Sequence, residues 1–300
     1  MIIEQTKNGI LNVDKPQCIT SHDVVDAIRK IFPNQKVGHT GTLDPLATGV
    51  LPICIGDATK LSDKLICETK AYSVKMLLGV ETDTYDITGR IIFASVVDKD
   101  EIYIKERIKR FIGKQMQMPP KYSAIKVEGK KLYQYAREDK DVEIKPREIE
   151  IYDISGIKVD LDSKEVAFNV ECSKGTYIRS LVNDIGKKIG CGATMTELRR
   201  TRTGNFKIED SIPLYDFLKL DYLEMLDRII SIEDYYEENK KITLNDEELN
   251  KFLNGVKIEV ESSDQIVRVY NKGKYIGLGT VEDKVLKRFI VENDNKDQKE

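Results

Sequence analysis

The stretch 38–49 most restricts how this chain can fold, because it cannot be one regular helix or strand. Its sequence, Gly-His-Thr-Gly-Thr-Leu-Asp-Pro-Leu-Ala-Thr-Gly, places three glycines and a proline around one carboxylate, Asp44. Pro45 disfavours helical geometry at Asp44, and glycine lets a backbone approach a ligand closely. The pattern predicts a rigid loop that presents Asp44. On the residues alone, this carboxylate is either a nucleophile or general base, or a group that only caps a turn.

Composition predicts a globular protein with a substantial hydrophobic core. Of 300 residues, 40% are hydrophobic and 33% are charged. No apolar run reaches the roughly 18 residues that a membrane-spanning helix needs, and residues 1–12 lack a secretory signal pattern, so we expect a cytoplasmic protein. The five cysteines are widely spaced and there are only two histidines. Neither a disulfide framework nor a metal site is therefore predicted.

Charge is distributed unevenly along the chain, although the net charge is only −3. Residues 174–207 carry eight basic and two acidic side chains, whereas residues 209–261 carry 15 acidic and six basic ones. A basic stripe of this kind can follow a phosphate backbone. A solvated protein surface accounts for the charge equally well, so charge alone leaves both interpretations open.

Hydrophobic periodicity predicts a mixed α/β domain over residues 1–235. The predicted strands are 9–13, 72–80, 89–93, 149–154 and 166–172, and we expect 72–80 to pair with 89–93. The predicted helices begin at a Thr20–Asp23 capping box, at residue 105 and after Gly175, and the last two end at Gly113 and Gly190. Two prolines open a polar, basic insert at about 119–147 that contains three tyrosines.

The C-terminal part of the chain differs from the rest in its residue pattern. The acidic stretch 231–241 is typical of a linker. Beyond it, residues 266–270 and 274–278 flank Asn-Lys-Gly, a pattern that predicts a β-hairpin within a small β-rich domain at 241–291. Residues 292–300 are almost wholly polar and are predicted to be disordered.

Four separate blocks resemble the TruB family, the bacterial tRNA pseudouridine-55 synthases. They are the loop already described, extended to Pro52, and the segments 11–16, 120–133 and 172–179. Their order and spacing also match, and the resemblance covers nearly the whole chain. It implies an α+β catalytic domain with a mixed, largely antiparallel central sheet and a small C-terminal β-barrel of PUA type. The implied enzyme isomerises uridine 55 in the tRNA T loop to pseudouridine without a cofactor.

The resemblance also assigns roles to individual residues. Asp44 falls on the essential aspartate, Arg179 on the arginine that pairs with it, and Tyr72 on the tyrosine that stacks against the target base. His39 falls on a histidine that stacks into the T loop as the base leaves it. Eight positions are implied to bind substrate: His39, Tyr72, Tyr177, Leu198, Lys15, Lys60, Lys130 and Lys131. The implied partner is the T-arm stem-loop of tRNA, and no feature demands more than a monomer.

Several alternatives remain at the level of sequence. Without the resemblance, Tyr72, Tyr177 and Leu198 are ordinary core candidates and His39 is an exposed loop residue. The rival functions are a related synthase with another RNA target, an RNA-folding chaperone and an aspartate-dependent glycoside hydrolase. A chaperone has no need of the carboxylate, and a glycosidase needs a second positioned one, which none of the four blocks obviously supplies. Whether Asp44 attacks C6, attacks C1′ or takes a proton from C2′ also stays open.

Overall fold

The computed structural model describes residues 7–66, 69–123, 125–127, 129–138, 140 and 142–292. Within these ranges the chain forms an eleven-stranded sheet, a five-stranded sheet, two small hairpins and nine α-helices. None of the described helices is both long and apolar enough to cross a membrane. The predicted disordered tail lies outside the described residues, apart from Glu292.

The strands are, in chain order, β1 (Gly9–Lys15), β2 (Val37–His39), β3 (Thr48–Ile55), β4 (Lys70–Leu78), β5 (Val80–Thr82), β6 (Ile91–Ala94), β7 (Gly113–Gln117), β8 (Lys126–Val127), β9 (Lys130–Lys131), β10 (Arg147–Asp160), β11 (Glu165–Cys172), β12 (Ala193–Thr203), β13 (Phe206–Lys207), β14 (Ile212–Pro213), β15 (Ile229–Ser231), β16 (Lys241–Thr243), β17 (Ile258–Glu259), β18 (Gln265–Asn271), β19 (Lys274–Glu282) and β20 (Val285–Val291). The helices are α1 (Ser21–Ile31), α2 (Ser62–Ile66), α3 (Glu101–Lys109), α4 (Leu132–Arg137), α5 (Ile178–Ile189), α6 (Leu214–Phe217), α7 (Tyr222–Asp227), α8 (Ile232–Tyr235) and α9 (Asp246–Leu253), with a 3₁₀ helix at Gly56–Leu61.

The large sheet confirms the predicted mixed, largely antiparallel architecture. Its main path runs β14-β1-β3-β12-β4-β11-β10-β7, and β2, β13 and β15 join it at β3, β12 and β1. The pairs β1–β14 and β3–β12 are parallel, whereas β1–β3, β12–β4, β4–β11, β11–β10 and β10–β7 are antiparallel. The path places β12 between β3 and β4, so residues from three distant parts of the sequence become neighbours.

The two long helices of this domain form where local signals predict them. At the start of α1, Asp23 N donates to the Thr20 hydroxyl (3.1 Å) and Thr20 N donates to the Asp23 carboxylate (2.7 Å), which is the expected capping box. Helix α5 ends at Gly190, whose φ of 99° is the left-handed cap that glycine favours. The predicted apolar face of α5 is buried and consists of Ile178, Leu181, Val182, Ile185 and Ile189.

Two predicted elements differ from the structure. The helix predicted from residue 105 begins four residues earlier, at Glu101, because Asp100 caps it by accepting a hydrogen bond from Tyr103 N (2.8 Å). The pairing predicted between 72–80 and 89–93 is wrong for most of its length. Gly79, with a φ of 84°, divides the first segment into β4 and β5. Only β5 pairs with β6, and β4 lies between β11 and β12.

The linker predicted at 231–241 is also wrong, because part of it belongs to a hydrophobic core. Ile232 is 0% exposed and Tyr236 is 8% exposed. Both pack in a cluster that joins the large sheet to the small one, formed by Ile10, Val50, Cys54, Ala58, Leu61, Leu65, Phe206, Ile232, Tyr236, Tyr270, Tyr275, Leu278 and Ile290. Tyr270 also donates its hydroxyl proton to Glu233 (2.5 Å). The acidic segment therefore contains a short helix, α8, which packs against both sheets.

The five-stranded sheet has the order β16-β18-β19-β20-β17. It contains the predicted hairpin, β18–β19, whose turn uses positive φ at Lys272 (47°) and Gly273 (80°). Its own core includes Phe252 of α9, with Val267 and Leu286 from the strands. This sheet is the expected PUA-like part of the fold.

Ile232→Ala should lower the free energy of unfolding by about 2–5 kcal/mol, because the substitution leaves a cavity in the core that joins both sheets. The matched control is Ile102→Ala in α3, where the side chain is 71% exposed, and it should change the free energy by less than about 0.5 kcal/mol. Urea unfolding followed by circular dichroism measures both. Equal effects of the two substitutions would show that α8 does not join the sheets.

Candidate active site

Asp44 lies on the loop between β2 and β3, and neighbouring segments hold this loop in place. The Ser21 hydroxyl accepts from Leu43 N (2.8 Å) and donates to Leu43 O (3.1 Å). Cys18 N donates to Pro45 O (2.8 Å), and Ala47 N donates to Asp44 O (3.0 Å). The start of α1 and the chain that precedes it therefore fix the backbone on both sides of Asp44, as the glycine and proline pattern predicts.

The guanidinium group of Arg179 lies between two carboxylates. Its Nε is 2.9 Å from Asp44 Oδ2, and its Nη1 is 3.6 Å from Asp86 Oδ2. The same group donates from Nη1 to Thr84 O (3.1 Å) and from Nη2 to Tyr122 O (2.8 Å). The side chains of Arg179 and Asp86 are 6% and 7% exposed, whereas that of Asp44 is 37% exposed. Asp44 is thus the member of this group that substrate can reach.

Sequence reasoning missed Asp86. It lies in the turn between β5 and β6, where its carboxylate accepts hydrogen bonds from the Thr84 hydroxyl (2.9 Å) and from Thr88 N (3.0 Å). The only local signal is a carboxylate between two threonines in a turn, which is typical of ordinary turn chemistry. The turn that carries Asp86 lies against β12, where Asp86 forms a backbone bridge with Met195, a long-range contact that no local pattern reports.

Burial and neighbouring charges act on Asp44 in opposite directions. Removal from water raises the pKa of the Asp44 carboxyl group above its ordinary value, the Arg179 guanidinium lowers it, and the Asp86 carboxylate raises it again. Together these effects raise the pKa of the Asp44 carboxyl group. Asp44 is therefore a stronger base than a free aspartate, and its charged form is held at a cost to the fold.

Tyr72 and Leu198 stand on adjacent strands of the central sheet. Tyr72 on β4 pairs in register with Arg200 on β12, and Leu198 pairs with Val74. Both side chains are nearly buried, at 7% and 8% exposure. Burial raises the pKa of Tyr72 to about 12, so its phenol keeps its proton at neutral pH.

Tyr177 is the N-cap residue that precedes helix α5, and Gln117 ties it to β7, the strand that leads into the insert. Gln117 is a second residue that the sequence did not single out. Gln117 Oε1 accepts from Tyr177 N (2.8 Å), and Gln117 Nε2 donates to Tyr177 O (3.0 Å). The Gln117 side chain is buried at 3% exposure, and the Ser180 hydroxyl donates to Met118 O (2.8 Å) one residue along. The edge strand β7 thereby fixes the turn of α5 that carries Arg179.

His39 ends strand β2, five residues before Asp44, and is partly exposed. Gly41 N donates to His39 Nδ1 (3.3 Å), which assigns the proton of the neutral ring to Nε2. Burial, with a smaller contribution from Arg200, lowers the pKa of His39. A neutral imidazole is therefore the form expected at neutral pH.

Lys15 is buried in the structure, and Lys60 forms an ion pair away from Asp44. Lys15 is 0% exposed, and its Nζ donates to Pro16 O (2.8 Å) and Ile19 O (2.7 Å). Burial lowers its pKa to about 8, and it interacts with Asp44 through charge. Lys60 follows the end of β3 opposite to the Asp44 loop and donates to Asp57 (2.6 Å). Lys15 therefore acts on Asp44 through its charge and not through a substrate contact. Lys60 pairs with Asp57 and lies outside the group formed by Asp44, Asp86 and Arg179.

Among the described residues, most basic side chains of the insert are exposed, whereas only half of those in segment 174–207 are. Lys130 and Lys131 lie on β9, with their ammonium groups 4.9 and 5.7 Å from the ring centres of Tyr135 and Tyr133, and Lys130 also pairs with Glu138. In segment 174–207, by contrast, four of the eight basic side chains serve the fold. Arg179 and Arg200 are buried, and two more are paired, Arg199 with Asp14 and Arg202 with Glu171.

A metal site is not part of this arrangement. Among the described residues, no three His, Cys, Asp or Glu side chains are grouped so that they could hold a metal ion.

Asp44→Asn should stabilise the fold at neutral pH. A raised pKa means that the folded protein binds this proton more tightly than the unfolded chain, so stability is lost as the pH rises through the folded-state pKa. An amide cannot ionise and avoids this loss. The melting temperature of Asp44→Asn should therefore exceed that of the wild type at pH 7, and the gap should close near pH 4.

The matched control is Asp246→Asn, where Lys272 and Asn271 lower the pKa of an exposed carboxylate. That variant should lose a little stability at pH 7 and none in acid. Differential scanning calorimetry at both pH values measures these changes. A lower melting temperature for Asp44→Asn at pH 7 would mean that the Asp44 charge stabilises the fold.

Comparison with known proteins identifies the family. Residues 29–178 match the N-terminal domain of TruB family pseudouridylate synthases, residues 179–253 match the tRNA pseudouridylate synthase B C-terminal domain, and residues 241–287 match the Pseudouridine synthase II TruB C-terminal domain. The tRNA pseudouridine synthase B of Clostridium kluyveri is 45% identical over 298 residues, covering 94% of this chain and 100% of that protein. That of Clostridium tetani is 48% identical over 282 residues, covering 91% and 95%.

Solved structures agree with this assignment. A chain in the structure of an H/ACA RNP bound to a substrate RNA containing 2′-deoxyuridine has a TM-score of 0.67 at 26% identity, covering 95% of this chain and 86% of its own. A chain of a Cbf5-Nop10-Gar1 complex has a TM-score of 0.68 at 28% identity, covering 95% and 84%. This chain therefore belongs to the TruB family of pseudouridine synthases, isomerases that convert uridine to pseudouridine in tRNA.

Proposed function

We propose that this enzyme isomerises uridine 55 in the T loop of tRNA, that Asp44 is its catalytic carboxylate, and that it works in the cytoplasm as a monomer. The observation that supports this most is the contact between Arg179 and Asp44. A carboxylate on a fixed loop, paired on one side and open on the other, suits attack on a substrate or removal of its proton.

The reaction breaks the N1–C1′ bond of uridine, turns the base and rejoins it through C5. Product and substrate have the same atoms and electrons, so the proposal includes no cofactor. The target base must leave its stack, and it then needs aromatic and apolar surfaces. Tyr72 and Tyr177 supply such rings, and Leu198 supplies an aliphatic side chain from β12, the strand beside β4.

Asp86 bears on the rival glycosidase function, since it is a second carboxylate beside Asp44. A glycosidase needs an acid that can protonate a leaving group. Asp86 is 5% exposed, and it already accepts hydrogen bonds from Thr84 and Thr88 beside Arg179. It is arranged to hold Arg179 and not to meet a substrate, so the isomerase function is favoured.

Incubation of the wild-type protein with unmodified tRNA, followed by mapping of pseudouridine at single-nucleotide resolution, should show one product at position 55. Asp44→Asn should give no turnover, because the amide keeps the shape but loses the charge. Its affinity for tRNA should stay within about tenfold, roughly 1.4 kcal/mol. Product at another position would show that the enzyme modifies a different uridine. Turnover by Asp44→Asn above a few per cent would show that Asp44 is not the catalytic carboxylate.

Charge reversal of Lys130 and Lys131 to Glu should weaken binding of all tRNA substrates alike. Removal of each lysine–phosphate interaction should reduce the slope of log K against log salt by about 0.7 to 0.9. The matched control reverses Lys109 and Arg110, an exposed basic pair at the end of α3, and should leave the slope unchanged. Fluorescence anisotropy at several salt concentrations measures both. Equal slopes for the two variants would show that the insert does not bind the RNA backbone.

His39→Phe should retain far more activity than His39→Ala, because we propose that the ring stacks on a base of the T loop. An aromatic platform contributes about 1 to 3 kcal/mol per base. The neutral ring indicated by the lowered pKa of His39 fits stacking better than proton transfer. Single-turnover rates and tRNA affinities of both variants measure the effect. Phe and Ala variants that are equally inactive would show that the imidazole hydrogen bonds matter instead.

A further inference from the structure

Arg200 is among the largest fully buried side chains of the described residues, at 1% exposure. It lies on β12, the strand between β3 and β4, where it pairs in register with Gly49 on one side and with Tyr72 on the other. Arg200 therefore sits between the strand that follows the Asp44 loop and the strand that carries Tyr72. It has almost no access to solvent and cannot contact RNA itself.

The guanidinium of Arg200 reaches two backbone acceptors. Its Nε donates to Val50 O (2.6 Å) and its Nη2 donates to Gly41 O (3.2 Å). Among the described residues, no ion pair joins Arg200 to a carboxylate. An arginine buried without an acid is costly, so its role must depend on the positions of these two neutral acceptors.

The two acceptors lie on either side of Asp44, Gly41 in its loop and Val50 in β3. Gly41 O precedes Asp44 by three residues, and Val50 O follows it by six. Gly49, between them, has a φ of 104°, and a Cβ added there would lie 2.2 Å from Arg200 O. Only glycine permits this approach of β3 to β12. The side chain and the backbone of Arg200 together determine the span of the loop.

We propose that Arg200 is a positioning residue, which acts through the Asp44 loop and never touches substrate. The effect on catalysis rests on the proposed function, whereas the clamp on residues 41–50 does not. Lysine keeps the charge, but its single ammonium cannot donate to both carbonyls with the geometry of a planar fork.

Arg200→Lys should lower the single-turnover rate of pseudouridine formation at least tenfold and leave the tRNA dissociation constant within twofold. The matched control is Arg202→Lys on the same strand, whose arginine pairs with Glu171, and its rate should stay near that of the wild type. A tenfold weaker affinity at an unchanged rate would overturn the proposal. If thermal melting shows that Arg200→Lys does not fold, Arg200→Gln, which keeps two N–H donors without a buried charge, takes its place.

Hydrogen exchange at residues 41–49 separates the clamp from the reaction. The amides of this loop should exchange faster in Arg200→Lys than in Arg202→Lys or the wild type. If the wild-type protein forms no pseudouridine, the proposed function fails, but faster exchange still supports the clamp. Exchange that is unchanged in Arg200→Lys would overturn the clamp whatever the activity.

Discussion

The guanidinium group of Arg179, buried between Asp44 and Asp86, is the interaction on which the rest of the site depends. It brings together the loop after β2, the turn after β5 and the start of α5. A buried charge is costly unless it is paired and its remaining donors are satisfied, and the carbonyls of Thr84 and Tyr122 complete that requirement. Loss of both carboxylates would leave the charge of Arg179 uncompensated in the interior of the protein.

This arrangement sets the needs of the fold against those of the reaction. The fold favours the protonated form of Asp44, as its raised pKa shows, whereas attack or proton removal requires the charged form. The frame around the site must therefore be rigid. Arg200 on the central strand β12 holds the segment that carries Asp44, and Gln117 on the edge strand β7 holds the start of α5. The shared core around Ile232 fixes the PUA-like sheet to the same frame.

The elements that could be predicted from sequence have local causes. The capping box of α1, the glycine stop of α5 and the alternation of β11 are each encoded within a few residues. Asp86 and Gln117 were missed because their partners, Arg179 and Tyr177, lie 93 and 60 positions away along the chain. Tyr72 and Leu198 have the burial of ordinary core residues, so only the resemblance to the TruB family marked them. The accessible positive charge of residues 174–207 is smaller than their composition suggests, because burial and internal ion pairs cannot be read from composition.

The position of Arg179 between two carboxylates should set the acid limb of the pH profile of the reaction. The most direct measurement is the single-turnover rate of pseudouridine formation against pH, for the wild type and for Asp86→Asn. Removal of the Asp86 charge eliminates a contribution that raises the pKa of Asp44 and leaves Arg179 to Asp44 alone. The rate of the variant should therefore begin to fall at a lower pH than that of the wild type. An acid limb that stays in place or moves to higher pH would contradict this account of Asp44.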